Sequence, residues 1–211
     1  MPNKNTAPMR LRRMVSLAAA GVAALALAGP AQAACSQPST TKAFAAFGDQ
    51  NDYFAAPDGG FEAYASGWLK SNTAIVYDNE PWKVAGGTKA LKLNGTGASA
   101  TSPGFCIDLS NPTIRFFTKS TATGGVDSSW LMIEAIVTSQ IGTTTTILSS
   151  VASHYGWTAT PITSLVGATN AHLYSGLPNN DTATLKLRFT VMGSGASYTI
   201  DDVEVDPFRG G

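Results

Sequence analysis

The clearest pattern along the chain is a strict alternation near its end. Leu185, Leu187, Phe189 and Val191 take every second position, with Lys186, Arg188 and Thr190 between them. That spacing predicts a β-strand with one buried and one wet face. Shorter apolar runs recur before it between Gly, Pro, Asn and Asp turn signals: Ala74–Tyr77, Ala90–Leu93, Phe105–Leu109, Thr113–Thr118, Trp130–Thr138 and Thr144–Val151, with Tyr198–Val205 closing the chain. Trp130–Val137 alternates less cleanly and reads as a strand covered on both sides. Thr143–Thr146 is β-branched and runs into Ile147 and Leu148, so it reads as a strand rather than a glycosylated stalk. No amphipathic helix of useful length is visible after residue 33, and no repeat of roughly 20 to 50 residues is present. Runs of strands without intervening helices predict an all-β, antiparallel sandwich of jelly-roll type in one domain.

The first 33 residues follow a different pattern. Lys4, Arg10, Arg12 and Arg13 precede an apolar run, Val15–Ala28, and the small-residue site Ala31-Gln32-Ala33. This predicts a secretory signal peptide, too short to span a bilayer. The domain plan is therefore a signal peptide over 1–33, a leader over 34–56 and a β-sandwich over 57–208, with secretion and an extracellular or cell-surface location. Arg12-Arg13 leaves a twin-arginine route open beside general export. Four of the 14 basic residues lie in the signal segment, leaving 10 against 14 acidic residues, a formal charge of −4. With no basic cluster, the counterion-release term that drives nucleic-acid binding is missing. In an oxidising compartment Cys35 and Cys106, the chain's two cysteines, are expected to pair and tie the leader to the middle of the domain.

Candidate chemistry concentrates at the two ends of the sandwich. Asp58-Gly59-Gly60-Phe61-Glu62 leads to Gly67-Trp68 near the start, and Ile200-Asp201-Asp202-Val203 lies at the end. Calcium takes six to eight oxygen ligands, and a glycine-rich turn lets backbone carbonyls converge. Glu62, Asp201 and Asp202, with Gly60 in the turn, are thus candidate calcium ligands; the competing reading is a solvated turn and ordinary surface acids. Enzyme signatures are absent: there is no Gly-x-Ser-x-Gly elbow, and His154 and His172 lack metal-ligand spacing. Paired carboxylates for glycoside hydrolysis stay open, because their separation in space decides.

These motifs, in this order, resemble the galactose-binding-like jelly rolls, a group that includes many bacterial carbohydrate-binding modules. The wider string Phe47-Gly48-Asp49, Tyr53, Gly60-Phe61-Glu62, Ser66-Gly67-Trp68, Asn79-Glu80-Pro81, Thr101-Ser102-Pro103, Cys106, Arg115-Phe116-Phe117 and Ile200-Asp201-Asp202-Val203 resembles small secreted actinobacterial-type proteins with no assigned activity. The resemblance implies a structural calcium ion held by Glu62 and Asp201, with Asp202 the less favoured choice, and Trp68 in the core. The chain departs from the pattern in having Asp58-Gly59-Gly60 where Asn-Gly-Asp is common, which removes one ligand candidate.

Sugar recognition in such folds uses aromatic faces for the apolar sides of pyranose rings. Trp82, Trp130, Tyr155 and Tyr174 are the candidates; Trp157 reads as core. A glycan or cell-surface component is the expected partner of a non-catalytic binding module. A structural or partner-binding protein without a sugar site is the alternative, and a glycan-active enzyme the third. A groove shared by the four aromatics would favour sugar, and scattered aromatics would favour the structural reading.

Overall fold

A computed structural model describes residue 35 and residues 38–108, 110–121, 128–173 and 182–207. The expected signal peptide and Tyr174 lie outside the described residues. Thirteen strands are present: β1 Phe54–Ala55, β2 Leu69–Ser71, β3 Thr73–Val76, β4 Ala90–Leu93, β5 Ser99–Thr101, β6 Phe105–Ile107, β7 Thr113–Ser120, β8 Trp130–Ser139, β9 Gly142–Ala152, β10 Thr158–Ala159, β11 Thr163–Ser164, β12 Ala183–Met192 and β13 Tyr198–Asp206. They form two antiparallel sheets. Sheet one runs β10-β7-β13-β4-β3, with β11 beside β7 and β1 beside β13; sheet two runs β2-β5-β12-β8-β9, with β6 beside β12. All the strands read from the pattern are there, and the sandwich is the fold.

Alternation explains the packing. In β12, Leu185, Leu187, Phe189 and Val191 are fully buried, and Phe116, Ile114, Ile200 and Val205 meet them from sheet one. Trp68 joins this core, stacking near Phe189 and Phe61.

Two features depart from the sequence reading. An eight-residue helix, α1 Val166–Leu173, packs against β8 and β9. It is too short and too mixed, with Gly167, Thr169 and Asn170, to show a stripe. It is clipped instead by His172, whose ring nitrogens meet Ser139 Oγ at 2.9 Å and Thr144 Oγ1 at 2.7 Å. The leader is also more than a tether. Residues 41–56 pair Thr41 with Tyr53 and β1 with β13, and they place Phe44 and Tyr53 fully buried against Phe117. Phe117 neighbours core-facing Phe116 on β7, so this second cluster covers the outer face of sheet one. Cys35 and Cys106 are joined in a disulfide, Cα atoms 5.5 Å apart, within the span such a bond allows.

Candidate functional site

The opening turn and the closing strand meet. Ala56 N–H donates to Val203 O at 2.8 Å and Val203 N–H to Gly59 O at 3.1 Å. A Cβ at position 59 would stand 2.6 Å from Val203 O, and one at position 60 would stand 3.0 Å from Asp202 Oδ1. Only glycine allows this approach. The turn is wound about Asp58, whose carboxylate accepts the Ala63 and Ser66 amides at 3.0 and 2.8 Å. Opposite it, the β13–β7 register shifts between Asp201 and Glu204, and Asp202 takes φ 43°. This β-bulge turns successive acids in directions that a regular strand would not.

The bulge gathers buried carboxylates. Glu80, Asp201 and Asp202 are fully buried and Glu204 nearly so. Asp201 accepts the Asp202 and Glu80 amides at 2.9 and 3.4 Å. Asp202 Oδ2 accepts the Ala85 amide at 3.1 Å. Glu80 accepts the Trp82 and Val84 amides, winding the loop around its carboxylate. Asp202 Oδ1 and Glu204 Oε2 have no hydrogen-bond partner. Burial, then the charge of Asp202, pushes Asp201 up to about 9. Burial and the neighbouring Glu80 push Asp202 up to about 7, and burial and Asp202 push Glu204 up to about 8.

The structure orders the expected calcium ligands differently from the family comparison. Both oxygens of Asp201 accept backbone amides. Glu62 sits to one side, where its carboxylate accepts the Thr88 and Lys89 amides at 2.7 Å each and the Lys89 ammonium at 3.2 Å. Burial raises its carboxyl, but these bonds outweigh it and hold it below the usual value. Asp202, beside Gly60, has a buried oxygen without a hydrogen-bond partner, as does Glu204. Among the described residues no three His, Cys, Asp or Glu side chains converge as metal ligands, so carboxylates alone do not complete a calcium site. The orphaned oxygen and uncompensated buried acids fit a hard cation whose remaining ligands are backbone carbonyls or water.

Among the described residues, Trp82, Trp130 and Tyr155 do not share a groove. Trp82 is 43% exposed on the outer face of sheet one, where it stacks on Phe117 at 5.4 Å and meets Phe47 edge-on at 4.8 Å. Tyr155, 91% exposed, follows β9 and bridges to Ser120. Trp157 packs against the second cluster and donates to Asp78 at 3.3 Å. Trp130, 40% exposed, opens β8 on sheet two.

The outer face of sheet two carries a feature the sequence reading missed. Core-facing Ala100, Phe189 and Ile133 place their strand neighbours outside, and the register sets them in rows. Leu69, Thr101, Arg188, Glu134 and Ile147 form one; Ser71, Ser99, Thr190, Met132 and Ser150 the next; Met192, Trp130 and Ala152 a third. β8 was read as covered on both sides because Trp130, Met132 and Ile136 are apolar at outward positions. Among the described residues no layer covers them. At the centre, Arg188 grips Glu134 through two bonds, Nε to Oε2 at 2.6 Å and Nη2 to Oε1 at 2.8 Å, and the pairing raises the guanidinium further.

No protein-family model matches the chain, and no curated protein does. Several solved structures are similar to it at TM-scores below 0.5. The module TmCBM61, in complex with β-1,4-galactotriose, matches at TM-score 0.43 and 13% identity over 72% of this chain and 97% of that one. The CBM22-1 xylan-binding domain of Xyn10C from Paenibacillus barcinonensis matches at TM-score 0.44 and 11% identity over 69% and 88%. The CBM22-1–GH10 modules of Xyn10B from Clostridium thermocellum, complexed with xylohexaose, match at TM-score 0.45 and 15% identity over 75% and 29%. A likeness at this level assigns no role to any residue here.

Proposed function

We propose that the protein is a secreted, non-catalytic carbohydrate-binding module whose platform is the open outer face of sheet two. The observation that carries this reading is the row structure of that face: an exposed indole and half-buried apolar side chains on an uncovered sheet, beside hydroxyls and one rigid ion pair. Trp130 offers its ring to the apolar side of a pyranose. Thr190, Ser150 and Thr101 offer hydroxyls, and the spare donors and acceptors of Arg188 and Glu134 suit vicinal sugar hydroxyls. Hydrolysis needs two carboxyl groups across a bond; among the described residues this face carries Glu134 alone, tied to Arg188. Titration calorimetry with β-1,4-galactotriose and xylohexaose tests the reading. Binding should be lost at least about tenfold in Trp130→Ala. No binding of either sugar at millimolar concentration, or unchanged binding by Trp130→Ala, would overturn it. The dispersal of Trp82 and Tyr155 to other surfaces favours a second reading, a partner-binding extracellular module without a sugar site.

The same proposal includes a structural calcium ion at Asp202, beside Gly60, where its charge would offset the buried acids of the bulge. It would bind no substrate there, since those acids are closed off from the platform.

A further inference from the structure

A second binding feature lies on the opposite side of the sandwich, independent of the platform on sheet two. Thr41, Lys42, Ala43, Ala46, Val84 and the neighbouring Trp82 and Lys83 line a depression of about 340 Å³ between the leader and the β3–β4 loop. That volume falls at the small end of ligand sites, enough for one or two sugar rings. Its floor is apolar and small, and its wall is an indole fixed from behind. One face of Trp82 stacks on Phe117, Phe47 closes its edge, and the Glu80 carboxylate holds the Trp82 and Val84 amides. A ring held this way loses little entropy on binding.

Charge gives the depression its selectivity. Only ten basic residues follow residue 33, and two of them stand on this rim, with no acid among the lining residues. Lys83 makes no ion pair among the described residues. Lys42 donates to Gln50 O at 2.7 Å and touches Asp52 at 3.5 Å, in a pair more than half exposed on both sides. Such a pair contributes little and yields readily to a better acceptor. We propose that this depression binds an acidic saccharide, a uronate whose ring lies on Trp82 and whose carboxylate is taken by the ammonium groups of Lys83 and Lys42. The indole supplies the apolar contact, and the lysines form ion-paired hydrogen bonds with a carboxylate that a neutral sugar lacks.

The experiment titrates the full chain with trigalacturonate and, in parallel, with β-1,4-galactotriose, reading calorimetric heat and tryptophan fluorescence. Trigalacturonate should bind, weaken as salt rises, and bind about tenfold less well in Lys83→Gln, the loss expected for one charge-assisted hydrogen bond. Lys83→Gln leaves the core untouched, so its melting temperature should equal that of the wild type. Trp82→Phe should remove most of the fluorescence change while keeping the fold. Trp130→Ala should leave trigalacturonate binding intact, so failure here and failure of the sheet-two platform are separately visible. The proposal falls if trigalacturonate does not bind at millimolar concentration, if Lys83→Gln binds it as the wild type does, or if Trp130→Ala alone abolishes it.

Discussion

Two groups of buried acids share the outer face of sheet one and differ in a single respect. Asp49, in the leader, is closed by its own cation: Arg115 donates to it at 2.8 Å, Tyr53 donates its hydroxyl at 2.7 Å, and the Asn51 amide adds a third bond. Burial pulls its carboxyl upward, but the bonds from Tyr53 and Arg115 outweigh it and leave it below the ordinary value. At the β13 bulge, Asp201 and Asp202 receive backbone amides and no cation, and both are pushed up together with Glu204. Arg115 lies opposite Glu204 in the register, yet its donors go to Asp49 and to Thr160 O. One site is electrically finished within the chain. In the other, burial without a facing cation raises the carboxyls and favours their protonated form.

The largest test of the contrast removes the built-in cation. Arg115→Met should strand a buried carboxylate and destabilise by about 3–5 kcal/mol, with part of the loss recovered by adding Asp49→Asn; equal melting of the single variant and wild type would show that the pair is not needed. Reduction of Cys35–Cys106 removes the covalent tie of the leader that carries Asp49. Opening a 71-residue loop should cost roughly 4 kcal/mol in the chain-entropy model, read as a lower denaturant midpoint.

Chelation sharpens the other side. With calcium at a hundredfold excess over its dissociation constant, its removal should lower stability by about 2.7 kcal/mol. Asp202→Asn should blunt that response more than Asp201→Asn, because Asp202 has an unpartnered oxygen and both oxygens of Asp201 accept amides. A wild type that melts identically with and without chelator would leave the bulge without a metal.

The smallest effect is in acid. A carboxyl depressed in the folded state stabilises above its unfolded value of about 3.9 and loses that contribution as pH falls through the folded value. Wild type should therefore lose stability below about pH 4 more steeply than Asp49→Asn, measured as chemical denaturation midpoints across the range.

The sandwich was legible because burial on one face imposes a two-residue period, which β12 displays openly. The meeting of opening turn and closing strand was legible for a related reason: Gly59 and Gly60 mark a close approach. The different partners of Asp201 and Asp202 were not legible, since the inserted residue in β13 changes which amide each carboxylate meets, and a bulge leaves no mark in alternation. Glu80 was visible as part of Asn79-Glu80-Pro81, but nothing local distinguishes a glutamate that organises a buried loop from one on a surface. β8 misled for a physical reason as well. Apolar outward residues signal a cover, and a cover and a binding face write the same pattern.

The contact between position 59 and Val203 O carries information as well as shape. A side chain there would demand that the first turn and the last strand separate together, so a substitution at one end of the chain cannot be absorbed without a change at the other, 144 residues away. The glycine two residues before the aromatic of the opening turn is therefore coupled by geometry to the closing strand and its bulge.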